Sequence, residues 1–150
     1  MRRRTQKIDK VVSLAAAEEK RFGHEAGRSQ RSLNDQLDRL GELNAFRHNY
    51  RDKNPATSGV SAARWMDYQN FLQRLDRAVY SQQQIIRDCE QNVEVHRKRW
   101  MLKRQKRESL ERVLDKCQQQ DAIYTARLEQ KQLDDIPFNS HSMMKSGDRR

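Results

Sequence analysis

Apolar positions recur along the second half of the chain at alternating steps of three and four. From Trp65 the series runs Tyr68, Leu72, Leu75, Val79, Gln82, Ile86, Cys89, Val93, His96, Trp100, Lys103, Arg107, Leu110, Leu114, Cys117, Asp121, Tyr124 and Leu128. Fourteen of these 19 positions are apolar or aromatic, against 35% for the whole chain. A period of 3.5 residues held without a stutter predicts a long helix in a left-handed supercoil. The first half repeats the pattern more loosely. Ile8, Val12, Ala15, Phe22, Ala26, Leu33, Leu37 and Leu40 fall at three- and four-residue steps or their multiples. Gly23 and Gly27 each cost about 1 kcal/mol relative to Ala in a helix interior, so this half is expected to be the looser one. Between the two halves, Lys53-Asn54-Pro55-Ala56-Thr57-Ser58-Gly59-Val60-Ser61 reads as a turn. Ser61 is the expected N-cap of the second helix, with Ser58 as the alternative.

The predicted fold is therefore all-α: two long helices in an antiparallel coiled-coil hairpin, the second longer than the first. Helix one covers about 5–52, the turn 53–61 and helix two about 62–133. Pro137 ends any helix, and residues 134–150 are expected to form a disordered tail. A fold at residues 53–61 would set Tyr50 near Trp65, Leu40 near Leu75, Leu33 near Gln82, Phe22 near Val93 and Ala15 near Trp100. On that register helix one ends opposite Lys103 or Arg107. Leu110, Val113, Leu114, Cys117, Tyr124 and Leu128 then lack a cover of their own chain, as a partner site would. Near the turn, Leu43, Phe46 and Tyr50 share one face of helix one, and Phe71, Leu75 and Ala78 share one face of helix two. With Trp65 and Tyr68 this is more aromatic surface than a two-helix seam encloses. It either stiffens the hairpin tip or forms a binding patch.

Composition supports thin helices over a thick core, since 35% of residues are charged and only five Gly and two Pro occur in 150 residues. The net charge of +10 raises nucleic acid or an anionic membrane surface as partners. The charge is densest at Arg97, Lys98, Arg99, Lys103, Arg104, Lys106, Arg107 and Arg112. This collar reads equally as a docking surface for an acidic partner or phosphates and as a solvated face whose long stems cover the seam. The basic start is followed by no apolar stretch of the kind a secretory signal needs.

Catalytic and ligand-binding patterns are missing. The sequence has no glycine-rich phosphate loop, no GxSxG and no HExxH, and His24, His48, His96 and His141 are scattered without metal-ligand spacing. No enzyme activity, cofactor or metal is expected. Cys89 and Cys117 lie 28 residues, or four heptads, apart. That is about 42 Å along one helix, too far for a bond between them, and both are read as small apolar residues of the seam.

In their order these features resemble the flagellar export protein FliJ family. The most specific segment is Arg64-Trp65-Met66-Asp67-Tyr68-Gln69-Asn70-Phe71-Leu72-Gln73-Arg74-Leu75 just after the turn, with Leu43, Phe46 and Tyr50 before it and Trp100 followed by basic residues beyond it. The resemblance covers about residues 5–133. It implies a cytoplasmic component of the flagellar type III export apparatus, peripheral to the membrane through its partners only. The expected partners are the export ATPase ring, the cytoplasmic domain of the export-gate protein and the export chaperones; nucleic acid is not expected. The implied gate-binding patch is Leu43, Phe46, Tyr50, Phe71, Leu75 and Ala78, with Arg39 and Gln82 at its margin. The resemblance thus turns the tip patch from an open question into an expected binding site. By analogy with the stalk of rotary ATPases, the implied ATPase-facing residues are Arg97, Lys98, Arg99, Lys103, Arg104, Lys106, Arg107, Leu110, Leu114 and Tyr124. The rival readings are a basic coiled coil that binds nucleic acid and a homo-oligomeric coiled coil. The resemblance leaves open whether a flagellum or a related injectisome is served.

Overall fold

The computed structural model describes residues 2–55, 59 and 61–136. Its elements are two helices, α1 (Arg2–Asp52) and α2 (Ala62–Asp135), with no strand among the described residues. The fold is an antiparallel two-helix coiled coil, all-α, with the second helix longer. Two compact units divide it, each built from a stretch of both helices. Residues 19–103 form the unit that contains the turn, called the tip unit below. Residues 2–18 and 104–136 form the terminal unit.

Local sequence sets the ends of the helices. The backbone N–H of Arg64 donates to Ser61 Oγ at 3.5 Å, and Trp65 N–H donates to the Ser61 carbonyl at 3.1 Å. These are the bonds of an N-cap and of the first helical turn, so Ser61 starts α2 as its side chain predicts. Ser58, the alternative cap, lies outside the described residues. Gly59 in the turn has φ +67°, a left-handed conformation in which a Cβ would crowd the following carbonyl. At the far end α2 continues through Asp134 and Asp135, which the sequence assigns to the tail. Pro137 and the rest of that tail lie outside the described residues.

The buried positions trace the predicted seam. In the tip unit they are Tyr68, Leu75, Val79, Gln82 and Ile86, and in the terminal unit Ala15, Leu114 and Cys117. Leu72, Cys89, Val93, His96, Trp100, Lys103, Arg107, Leu110 and Asp121 are half-buried at the expected places between and beyond them. No described side chain reaches complete burial. A helix with a single neighbour always leaves one side of its seam open. Cys89 and Cys117 both carry free thiols.

Each of the five polar positions of the seam faces a polar or aromatic group, His96 without a hydrogen bond. Gln82 Nε2 donates to the Gln36 carbonyl at 2.9 Å and to Gln36 Oε1 at 2.8 Å. His96 Nδ1 stands 4.0 Å from Glu25 Oε2. Lys103 Nζ lies 5.1 Å from the centre of the Phe22 ring, a cation–π contact. In the terminal unit Arg107 pairs with Glu111 at 2.8 Å, and the Thr5 hydroxyl donates to the Asp121 carboxylate.

These pairs correct the expected register. Gln82 meets Gln36, not Leu33, a shift of roughly one helical turn, and Trp100 stands against Gly23, not Ala15, a shift of roughly two. Tyr50 stacks on Tyr68, with ring centres 5.0 Å apart, where Trp65 was expected. Side chains on a helix lean toward its N-terminus, so in an antiparallel pair they meet partners higher in number on both helices than the backbone level suggests. The bare arithmetic of the turn ignores this lean, which has the size of the shifts at Gln82 and Tyr50; the larger shift at Trp100 exceeds it. The uncovered stretch is corrected with it: Leu110 is half-buried and Leu114 and Cys117 are buried, because α1 begins at Arg2 and Thr5 already reaches Asp121. Val113 of that stretch stays 43% exposed, and beyond it Ile123, Tyr124, Leu128, Leu133 and Ile136 are exposed.

Gly23 also departs from its reading as a soft spot, because a Cβ there would stand 3.1 Å from Trp100 Nε1. The missing side chain is what admits the indole. Gly27 and Gly41 have open space around the same atom. Gly27→Ala and Gly41→Ala should therefore each raise stability by about 0.5–1 kcal/mol in urea unfolding, through helix propensity alone. Gly23→Ala should gain clearly less or lose stability. Equal gains at all three sites would mean that Trp100 does not pack on Gly23.

Candidate protein-binding site

The tip patch assembles around Tyr50. Residues 46 and 50 are one turn apart on α1, so their rings lie along one face, with centres 6.5 Å apart. Phe71 on α2 meets both, 6.3 Å from Phe46 edge-on and 4.6 Å from Tyr50. Tyr68 and Trp65 extend the stack toward the turn, with centres 5.8 Å apart. Offset and edge-on ring pairs of this kind add about 0.5–1.5 kcal/mol each beyond area burial. The cluster is only partly internal. Tyr68 is buried, while Phe46 is 52% exposed and Phe71 and Trp65 are each 37% exposed.

Polar contacts hold the same end of the tip unit. Tyr68 Oη donates to the Arg51 carbonyl at 3.4 Å and so satisfies an acceptor of the last turn of α1. Asp76 Oδ1 accepts from Arg47 Nη1 and Arg51 Nη2, both at 3.3 Å. This clamp was missed in the sequence. Its signal was there: two arginines one turn apart on α1, and an aspartate beside the predicted seam of α2.

Next to the aromatic cluster is an open groove of about 460 Å³, lined by Arg39, Glu42, Leu43, Phe46 and Gln82. It contains both marginal residues of the expected patch. Gln82, however, is 8% exposed and spends its amide on Gln36, so it fixes the groove floor and offers little to a partner. Leu75 is likewise buried in the seam, and Ala78 and Leu43 are half-buried. The faces open to a partner are thus Phe46, Phe71, the exposed Arg39 and the rim of Leu43.

Three of the eight collar residues pair with glutamates of their own helix. In the tip unit Arg97, Lys98 and Arg99 are exposed, and Lys98 pairs with Glu94 at 3.5 Å. In the terminal unit Arg104 pairs with Glu108 at 3.1 Å and Arg107 with Glu111. These i, i+4 pairs are solvated and worth a few tenths of a kcal/mol, about the yield of helix-surface pairs. Lys106 is exposed and Tyr124 is 52% exposed.

A second groove, of about 310 Å³, is lined by Glu25, Arg28, Ser29, Ser32, Cys89, Asn92 and His96. His96 Nδ1 is buried there without a hydrogen bond, since Glu25 at 4.0 Å is beyond that range. No group of three or more His, Cys, Asp or Glu able to hold a metal ion occurs among the described residues. Nor, among them, is any helix long and apolar enough to cross a membrane.

The sequence model of one family, described as "Flagellar FliJ protein", matches residues 5–146. The chain belongs to the FliJ family. It is therefore a component of flagellar protein export and flagellum biogenesis. A curated relative named "Flagellar FliJ protein" from Escherichia coli (strain K12) is 23% identical over 112 residues, covering 73% of this chain and 76% of the relative. Another of the same name from Salmonella typhi is 22% identical over 131 residues, covering 86% and 89%. No solved structure matches the chain significantly.

Tyr50 touches Phe46, Phe71 and Tyr68, whereas Phe46 lies at the edge. Tyr50→Ala should accordingly cost about 2 kcal/mol in urea unfolding and Phe46→Ala less than about 1 kcal/mol. The reverse order would show that the cluster is not centred on Tyr50.

Proposed function

We propose that the chain is a non-enzymatic, stalk-like coiled coil of the flagellar export apparatus. It binds the cytoplasmic domain of the export gate through the tip patch and the export ATPase through the terminal unit, and it assists the cycling of export chaperones. On this reading it works in the cytoplasm and is held at the inner face of the membrane through those partners.

The observation that carries the proposal is the surplus of aromatic surface at the tip. Tyr68, the Arg51 carbonyl and the Asp76 clamp already close the end of the hairpin. Phe46 and Phe71 nevertheless stand exposed beside the groove of Arg39, Glu42 and Leu43. Exposed aromatics flanked by an arginine are the residue types that dominate binding energy in protein interfaces. A nucleic acid would meet the cations of the collar and leave these exposed aromatics without a role. That favours the protein-binding reading over its rival.

The decisive measurement is a pull-down with the gate's cytoplasmic domain and, separately, with the ATPase. Phe46→Ala combined with Phe71→Ala should weaken gate binding about tenfold or more, at unchanged helix content, while ATPase binding persists. Leu75 is unsuitable for this test, because its burial in the seam would confuse loss of contact with loss of fold. Gate binding that survives the double substitution would sink the tip assignment.

A further inference from the structure

The start of α1 carries charge that the fold does not use. Arg2, Arg3, Arg4, Lys7 and Lys10 are all exposed. None of them takes part in an ion pair or hydrogen bond among the described residues, in contrast to the paired arginines at 104 and 107. Asp9 is the one acid before Glu18, and the first turn of α1 contains none. Cations at a helix N-terminus oppose the helix dipole, so this arrangement costs folding stability.

The charges are also ordered. Steps of four, three and four place Arg3, Lys7, Lys10 and Leu14 in one stripe on α1, away from the seam residues Ile8, Val12 and Ala15. Leu14 is 69% exposed and its neighbour Val11 44%. Beside them runs an open groove of about 330 Å³, lined by Val11, Leu14, Ala15, Glu18 and Lys106. The flank thus combines unpaired cations with aliphatic side chains standing in water.

We propose that this flank docks on an anionic phospholipid surface, with Arg3, Lys7 and Lys10 at the headgroups and Leu14 and Val11 at the acyl boundary. Such a flank has the two components of an interfacial helix, a basic rim and a modest apolar strip. A nucleic acid would match the cations and leave Leu14 and Val11 without a role. The contact is direct, so it adds to any attachment through protein partners, and it does not depend on the tip reading.

The test is co-sedimentation of the full chain with vesicles of phosphatidylcholine alone and with added phosphatidylglycerol. Wild type should bind only the anionic vesicles, and added salt should release it. The triple variant Arg3→Gln, Lys7→Gln, Lys10→Gln should lose about tenfold or more of that binding, and Leu14→Ser should lose it severalfold. Arg74→Gln, Arg77→Gln, Arg87→Gln removes the same charge from exposed, unpaired positions of the tip unit and should bind as wild type. Circular dichroism checks that every variant keeps its helices; the N-terminal one should be no less stable, since it relieves the dipole conflict. Equal loss in both triple variants, no effect of Leu14→Ser, or no preference for anionic vesicles would overturn the proposal. So would a retarded DNA duplex without vesicle binding, which would assign the flank to nucleic acid.

Discussion

Everything in this molecule follows from the fact that each helix has one neighbour. A seam between two helices covers a side chain from one direction only, so even its best positions, such as Val79 at 4% exposure, keep some contact with water. Hydrophobic burial per residue is then smaller than in a layered domain, and the chain has to draw specificity from elsewhere. It draws it from polar residues placed inside the seam. Gln82 with Gln36 and Asp121 with Thr5 bind in one alignment only. A purely apolar seam would accept neighbouring registers almost as well. The half-open geometry that limits burial also makes these polar groups tolerable, since their desolvation is incomplete.

The same constraint accounts for the tip. Aromatic rings need area that two helices cannot fully supply, so a five-ring cluster there is divided into an inner and an outer part. Tyr68 and the Arg51 carbonyl belong to the inner part and close the end of α1. Phe46 and Phe71 belong to the outer part, held in place by rings beneath them. A surface ring whose rotamer is fixed by packing loses less entropy when a partner covers it than a free side chain does. The stiffening of the tip and its availability for binding, alternatives on sequence grounds, are therefore two sides of one cluster.

How much of this was legible in the sequence depended on whether the signal was periodic. The seam from Tyr68 to Cys117 could be read residue by residue, because a 3.5-residue repeat has no other structural meaning over that length. Ser61 was legible as a cap because the chemistry is local. Register was not, since it depends on the lean of side chains along both helices, which displaced the partner of Gln82, and on packing far from the turn, where Trp100 meets Gly23. Gly23 was misread because propensity sees only the missing side chain, and the space it makes for an indole on the other helix is a tertiary fact. The candidate patch was legible as a set of residues, from Leu43 to Ala78. Its division was not: nothing in the pattern tells that Leu75 and Gln82 are spent on the seam while Phe46 is free.

The glutamine pair in the seam has a mechanical side. Two helices joined only by greasy contacts slide past each other under load, each small step costing little. An amide that bonds both the carbonyl and the side chain of Gln36 works as a key in a slot. To move by one heptad, about 10 Å, the tip unit would have to break that bond before any replacement formed. It would also have to lift Trp100 out of the notch at Gly23. Push or twist applied at one part of this unit is then transmitted along it and not dissipated in shear, although the seam has no enclosed core to make it rigid.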